Sequence, residues 1–121
     1  MNIRILALSA CVLFTGCASN ALYQWGGYDD HLYATYKDPS KVEVLRAKLE
    51  AQIQASQAAG RKVAPGLYAE LGTIYLQAGN RPQALRYYEL EKTHWPESTV
   101  LMTAMIQNIE RLEKDAQEEK K

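Results

Sequence analysis

The sequence predicts an all-α chain, a short array of about five helices built around one helical hairpin. Three observations carry that expectation. Residues 65–98, PGLYAELGTIYLQAGNRPQALRYYELEKTHWPES, set two helical segments on either side of Gly79-Asn80. Ahead of them, Val42, Leu45, Leu49 and Ile53 recur at helical spacing behind Asp38-Pro39. Behind them, Val100 or Leu101, Met105, Ile109 and Leu112 do the same after Ser98.

The hairpin has the most specific pattern. Tyr68, Leu71, Gly72 and Tyr75 are followed by Ala84, Tyr88 and Pro96. That spacing resembles the tetratricopeptide helix–turn–helix, with its repeat of roughly 34 residues. Gly72 and Ala84 have almost no side chain, so two antiparallel helices can approach closely there. Leu71, Tyr75, Leu85 and Tyr88 fill the space beside the contact. Gly79 suits a helix C-terminus because it tolerates a left-handed backbone. Asn80 is a cap for the second helix, with Pro82 near its start. Trp95-Pro96 ends it, since proline disfavours helical geometry in the residue before it. Glu91 stands where the repeat usually carries a second small residue, which places it near solvent or near the end of the stack. His94 is expected to cap the helix end, interacting with its free carbonyls.

The flanking segments follow the same logic. Asp38 supplies a capping carboxylate and Pro39 a first helical position. The helix behind them fades by Gly60, and residues 60–64 are expected to form a basic, flexible loop. Residues 31–64 do not reproduce the Leu-Gly and Ala signatures, so any second repeat there is degenerate. In the last helix Ser98 is the candidate cap, and its role is to close the array with one face hidden and one solvated.

The chain of 121 residues has 14 basic and 14 acidic side chains. Zero net charge argues against a nucleic-acid binder that works by bulk electrostatics. Residues 1–16 are expected to be a signal segment. Arg4 makes a short positive start, and residues 5–14 form an apolar run far short of the ~20 residues that span a bilayer. Thr15-Gly16-Cys17 resembles the end of a bacterial lipobox, which implies acylation of Cys17 as the mature N-terminus. Ala18 stands where an inner-membrane retention aspartate would be, so the resemblance implies an outer-membrane, periplasm-facing lipoprotein. Cys11 is lost with the signal, and a lipid on Cys17 removes the one remaining thiol. Residues 17–27 are expected to be a lipidated tether, 28–117 the helical domain and 118–121 a charged tail.

Five aromatic residues crowd the segment after the tether begins: Tyr23, Trp25, Tyr28, Tyr33 and Tyr36. Tyr28, Leu32 and Tyr36 share one helical face. Packing at the end of the stack, a partner-binding patch and a belt at the lipid–water boundary all fit such a cluster. The tetratricopeptide resemblance nominates a second surface, because the first helix of a repeat usually lines the groove. Ala69, Thr73, Leu76 and Gln77 then face a partner or a neighbouring helix. The lysine and asparagine clamp for a C-terminal carboxylate is missing at Ala69 and Thr73, which argues against a chaperone-tail adaptor.

Nothing in the pattern calls for an enzyme, a metal or a cofactor. His31 and His94 stand in no metal-ligand spacing, and consecutive Asp29, Asp30 and His31 point in different directions on a helix. No serine or cysteine sits in a nucleophile motif and no glycine loop resembles a phosphate cradle.

Residues 22–39, LYQWGGYDDHLYATYKDP, together with the downstream hairpin, resemble a small family of bacterial lipoproteins. Tyr23-x-Trp25-Gly26-x-Tyr28 followed by Leu32-Tyr33 carries that likeness. Its members are commonly encoded beside a lipoprotein similar to the curli secretion channel. The resemblance implies a protein-interaction scaffold in the assembly of a channel-like or secretion-related envelope complex. Its expected partners are other envelope lipoproteins or outer-membrane subunits. A pilotin-like carrier of one outer-membrane subunit and a cell-wall-modifying accessory enzyme are the alternatives.

Overall fold

Helix boundaries in the computed structural model, which describes residues 22–120, fall at the start and stop residues of the sequence. The signal segment, Cys17, the tether as far as residue 21 and Lys121 lie outside the described residues. Five α-helices follow in order: α1 Tyr28–Lys37, α2 Val42–Ala58, α3 Leu67–Gln77, α4 Arg81–His94 and α5 Thr99–Glu118. Short 3-10 turns, Pro39–Lys41 and Pro96–Ser98, lead into α2 and α5. No strand occurs among the described residues, and the protein is an all-α helical array.

The stops and starts are built as expected. The Asp38 side chain accepts from the Ser40 backbone N–H, and Asn80 caps α4 by accepting from Gln83 N–H. Gly79 has a φ of 77° and donates to Leu76, while Asn80 donates to Tyr75, which closes the end of α3. Gly60 closes α2 in the same way, with Arg61 reaching back to the Ser56 carbonyl.

The hairpin α3–α4 is the centre. A Cβ on Gly72 would stand 2.9 Å from the Tyr88 ring and 3.2 Å from the Ala84 carbonyl oxygen, so the close approach does rest on the missing side chain. Each side of the hairpin has its own core. Leu45, Leu49 and Ile53 of α2 pack with Leu67, Tyr68, Leu71 and Ile74 of α3. On the other side Ala84 and Tyr88 pack with Met102, Ile106 and Ile109 of α5.

Several expectations are corrected by packing. The segment before α3 is not a free loop: Val63 and Ala64 are buried in the first core, because the Gly60 reversal turns the chain back across α2. In α5 the buried stripe is Met102, Ile106 and Ile109, with Val100, Leu101 and Leu112 exposed. Apolar residues on α5 form two overlapping stripes, and the orientation left by the Pro96–Ser98 turn selects one of them. The Ser98 side chain makes no cap for α5; its hydroxyl donates instead to Glu91. Glu91 itself is buried, at 1 % exposure, and not near solvent. Its Oε1 accepts from the Gly66 N–H at 2.8 Å and from Ser98 at 3.2 Å. The carboxylate therefore sits at the start of α3, where unpaired N–H groups and the helix dipole favour negative charge. His94 lies with its ring stacked on Tyr68 at 5.3 Å.

The end of the expected tether is docked, not loose. Tyr23 meets the Trp95 ring edge-on at 5.6 Å, and the Gln24 carbonyl accepts from the Gln52 side chain. Lys62 Nζ lies over the Trp95 ring at 3.6 Å, which completes the cover.

Candidate interaction surfaces

Besides the exposed Val100, Leu101 and Leu112 of α5, two surfaces stand out among the described residues once the cores are closed. The first is α1, which buries none of its residues fully and packs on α2. Of the aromatic cluster, Tyr23 and Tyr28 are half-buried against the first core. Trp25, Tyr33 and Tyr36 are exposed, as are Leu22 and Leu32. The cluster therefore does not end the stack as a packed cap; it divides into two anchors and an outward face.

The second surface is a polar cleft of about 220 Å³ between α2 and α4. One face of α2 supplies Glu50, Ile53, Gln54 and Gln57, and α4 supplies Arg86, Tyr87 and Leu90. Tyr68 of α3 reaches it from the hairpin. A column of rings runs beneath: Tyr75 and Tyr87 are stacked at 5.6 Å, Tyr87 and Tyr68 at 6.5 Å, and Tyr68 and His94 at 5.3 Å. Polar contacts fix the column. Gln57 Nε2 donates to the Tyr68 hydroxyl at 3.1 Å, and the Tyr75 hydroxyl donates to Glu50.

The electrostatics of the cleft follow from these contacts. Bonding to Glu50 holds the Tyr75 phenol above its ordinary value of 10.0, and burial adds to it. Tyr87 is raised by burial first and by the Glu50 charge second. Glu50 and Arg86 line opposite walls, and among the described residues neither forms an ion pair. The stacked rings turn their faces to one another. What the cleft offers a ligand is side-chain amides, one carboxylate and one guanidinium, a set suited to holding polar chain by hydrogen bonds.

The groove nominated by the tetratricopeptide pattern is largely taken up internally. Ala69 and Leu76 are half-buried against the α4–α5 core. The Thr73 hydroxyl donates to the Ala69 carbonyl and pairs with the Tyr88 hydroxyl, both at 3.0 Å. Gln77 alone of the four is exposed. These residues lie on a different face of α3 from Tyr68 and Tyr75, so the cleft and the nominated groove are separate surfaces.

Sequence reasoning passed over Glu50, Gln54, Gln57, Arg86 and Tyr87. A signal was present in the polar i, i+4, i+7 series on α2 and in the Tyr87-Tyr88 pair. On a helix adjacent rings diverge by about 100°, so one tyrosine meets Gly72 and the other must face elsewhere. Among the described residues there is no group of three or more His, Cys, Asp or Glu placed to hold a metal ion. No helix there is long and apolar enough to cross a membrane.

Fold and surfaces together define a small helical module with a peripheral aromatic helix and a tyrosine-backed polar cleft. The chain belongs to the family described as domain of unknown function DUF4810, whose model matches residues 22–105. That match takes in the docked segment, α1 to α4 and the first part of α5. No curated protein and no solved structure matches the chain.

Proposed function

We propose that the protein is an outer-membrane lipoprotein, acylated at Cys17 and facing the periplasm, that serves as a protein-interaction scaffold in a channel-like or secretion-related envelope complex. The observation that carries the interaction role is the cleft between α2 and α4. It presents Gln54, Gln57, Glu50 and Arg86 on rigid helices over a fixed column of rings. Glu50 and Gln57 are already held by Tyr75 and Tyr68, and groups held in this way lose little entropy on binding, which favours a protein or peptide partner held by many modest contacts. The Gly72, Ala84 and Tyr88 contact supports the tetratricopeptide-like reading of the hairpin. The lipobox-like Thr15-Gly16-Cys17 supports the anchor. The resemblance to lipoproteins encoded beside a curli-channel-like neighbour supports that class of partner.

The test is a pull-down through a C-terminal tag after mild crosslinking in cells, from detergent extracts, read by mass spectrometry. The expected result is a channel-like lipoprotein at fixed ratio with the wild-type chain, reduced in the Gln54→Ala, Arg86→Ala double variant. A partner that leaves the finished assembly would point to a carrier instead. Equal recovery from both chains would remove the cleft from the interaction. Cys17→Ser should move the protein from the membrane to the soluble fraction; a variant that still fractionates with membranes counts against the anchor.

A further inference from the structure

We propose that the outward face of α1, together with Trp25, rests in the headgroup region of the membrane that holds the anchor, so that lipid covers the exposed aromatic residues. This rests on the lipoprotein reading above. The first argument is distance. Four residues separate Cys17 from Leu22, the first described residue. Five Cα steps of at most ~3.6 Å keep Leu22 within about 18 Å of an acylated Cys17. The docked contacts of Tyr23 and Gln24 allow no further slack, since they fix this strand of chain to Trp95 and α2. Trp25 and α1 follow within a few residues, so the tether keeps them near the membrane surface.

The second argument is residue type. Leu22 is 83 % exposed, Tyr33 60 % and Tyr36 85 %, with Leu32 and Trp25 about two-fifths exposed. Leu32, Tyr33 and Tyr36 fall on one side of α1, and unlike Tyr28 none of them packs into either core. Tryptophan and tyrosine favour the headgroup level, where the ring is dry and the polar tip is wet. Cations stand beside them: Lys37 Nζ is 5.0 Å from the Tyr33 ring, and Lys48 lines the same small hollow as Trp25. Both suit anionic headgroups. Asp29, three and four residues before Leu32 and Tyr33, shares this face and offsets one of these charges, which suits the face to the headgroup level and not to hydrocarbon. Affinity comes from the acyl chains, so the face of α1 need do no more than set orientation. None of its residues lines the cleft on α2 and α4, which stays open to a protein partner.

The chain has two tryptophans, and the structure makes them a matched pair: Trp25 exposed and Trp95 buried at 7 %. The experiment reconstitutes the full mature protein, its acylation verified by mass spectrometry, into phosphatidylethanolamine–phosphatidylglycerol vesicles carrying lipids brominated at graded depths. The expected result is a blue shift of emission on reconstitution, with quenching by shallow bromines and little by aqueous iodide. Most of that lipid quenching should vanish in Trp25→Phe, which leaves the Trp95 core contact intact, and it should weaken in Tyr33→Ser, Tyr36→Ser. Iodide quenching of Trp25 undiminished by vesicles would overturn the proposal. Shielding from both quenchers would also overturn it, since a protein surface would then be the cover. A mature chain lacking acyl mass at Cys17 would remove the lipoprotein reading and this inference with it; an acylated chain with Trp25 in water removes this inference alone.

Discussion

Replacing Gly72 with alanine sets two opposed effects against each other, and the structure decides between them. In an open helix the change is favourable by about 1 kcal/mol, because glycine is a poor helix former. Here the new methyl would lie 2.9 Å from two atoms of the Tyr88 ring and 3.2 Å from the Ala84 carbonyl. Carbon atoms prefer roughly 3.5–4.0 Å, so something must retreat by about half an ångström or more. The ring has little freedom to do so. Tyr88 is fully buried, its hydroxyl is paired with Thr73, and Met102, Ile106 and Ile109 of α5 are packed in its core. The Ala84 carbonyl is backbone and moves only with α4. Overpacking of this kind costs about 1–3 kcal/mol, and with the ring and the carbonyl both held the upper half of that range, about 2–3 kcal/mol, applies; after the propensity gain a net loss of about 1–2 kcal/mol remains. For a domain of this size that is a fall in Tm of roughly 5–15 °C. The assay is thermal and urea unfolding followed by circular dichroism, on a soluble chain beginning after residue 17. Gly72→Leu should lose the cooperative transition. Gly72→Ala melting at or above the wild type would refute the reasoning, because it would mean that α3 and α4 do not close on residue 72.

The other predictions test the ties around this hairpin. Glu91→Ala leaves the Gly66 N–H and the Ser98 hydroxyl without their shared acceptor, and should cost about 3 kcal/mol in urea unfolding. Asn80→Ala removes the side-chain cap of α4 and should cost about 1 kcal/mol, read from the same curves. Burial raises the Glu70 carboxyl above its ordinary 4.5, so its stability contribution is full below that value and is lost as pH rises through the raised one. Glu70→Gln should therefore raise the unfolding midpoint at neutral pH, and the gain should shrink toward pH ~4. Tyr75 and Tyr87 ionise above 10.0 for want of solvent and because of Glu50, so phenolate absorbance should rise in two phases on alkaline titration. Glu50→Gln should draw the later phase down; an unchanged titration would remove the Glu50–Tyr75 bond.

The sequence showed the hairpin plainly, because its spacing is set by steric need at single positions. Gly72, Ala84, Gly79 and Asn80 each occupy a place where few other residues fit, and all four are used as their chemistry suggests. The stripe on α2 was legible because Leu45, Leu49 and Ile53 are large apolar residues at i, i+4 and i+8, and the rest of the helix behind Val42 and Val44 is alanine, amide, hydroxyl or charge. Where several apolar residues compete, pattern gave no unique answer. On α5, seven of them spread over two stripes, and tertiary contact with Tyr88 chose Met102, Ile106 and Ile109. Glu91 was hidden more deeply. A carboxylate is expected outside, and its burial depends on the Gly66 N–H arriving from another helix, which no local spacing encodes. The cleft was missed because it is made by polar residues from α2 and α4 whose meeting is a consequence of the hairpin and not of either segment alone.

One helical hairpin is below the roughly three repeats that an independent solenoid needs, and this chain makes up the difference by closing both of its flanks. α2, with Val63 and Ala64, covers the side of α3 that carries Leu67, Leu71 and Ile74. α5 covers the side of α4 that carries Ala84 and Tyr88. Glu91 joins the arrangement, since one carboxylate oxygen ties α4 to the start of α3 and to the turn that launches α5. Neither apolar side of the hairpin is left for a further repeat or a second copy to extend. Among the described residues, what such a unit presents outward is the α1 face, the polar cleft and the exposed Val100, Leu101 and Leu112 of α5. Chemically different free surfaces suit a module to joining two unlike things, and in the function proposed above the aromatic face serves the membrane and the amide-lined cleft the partner.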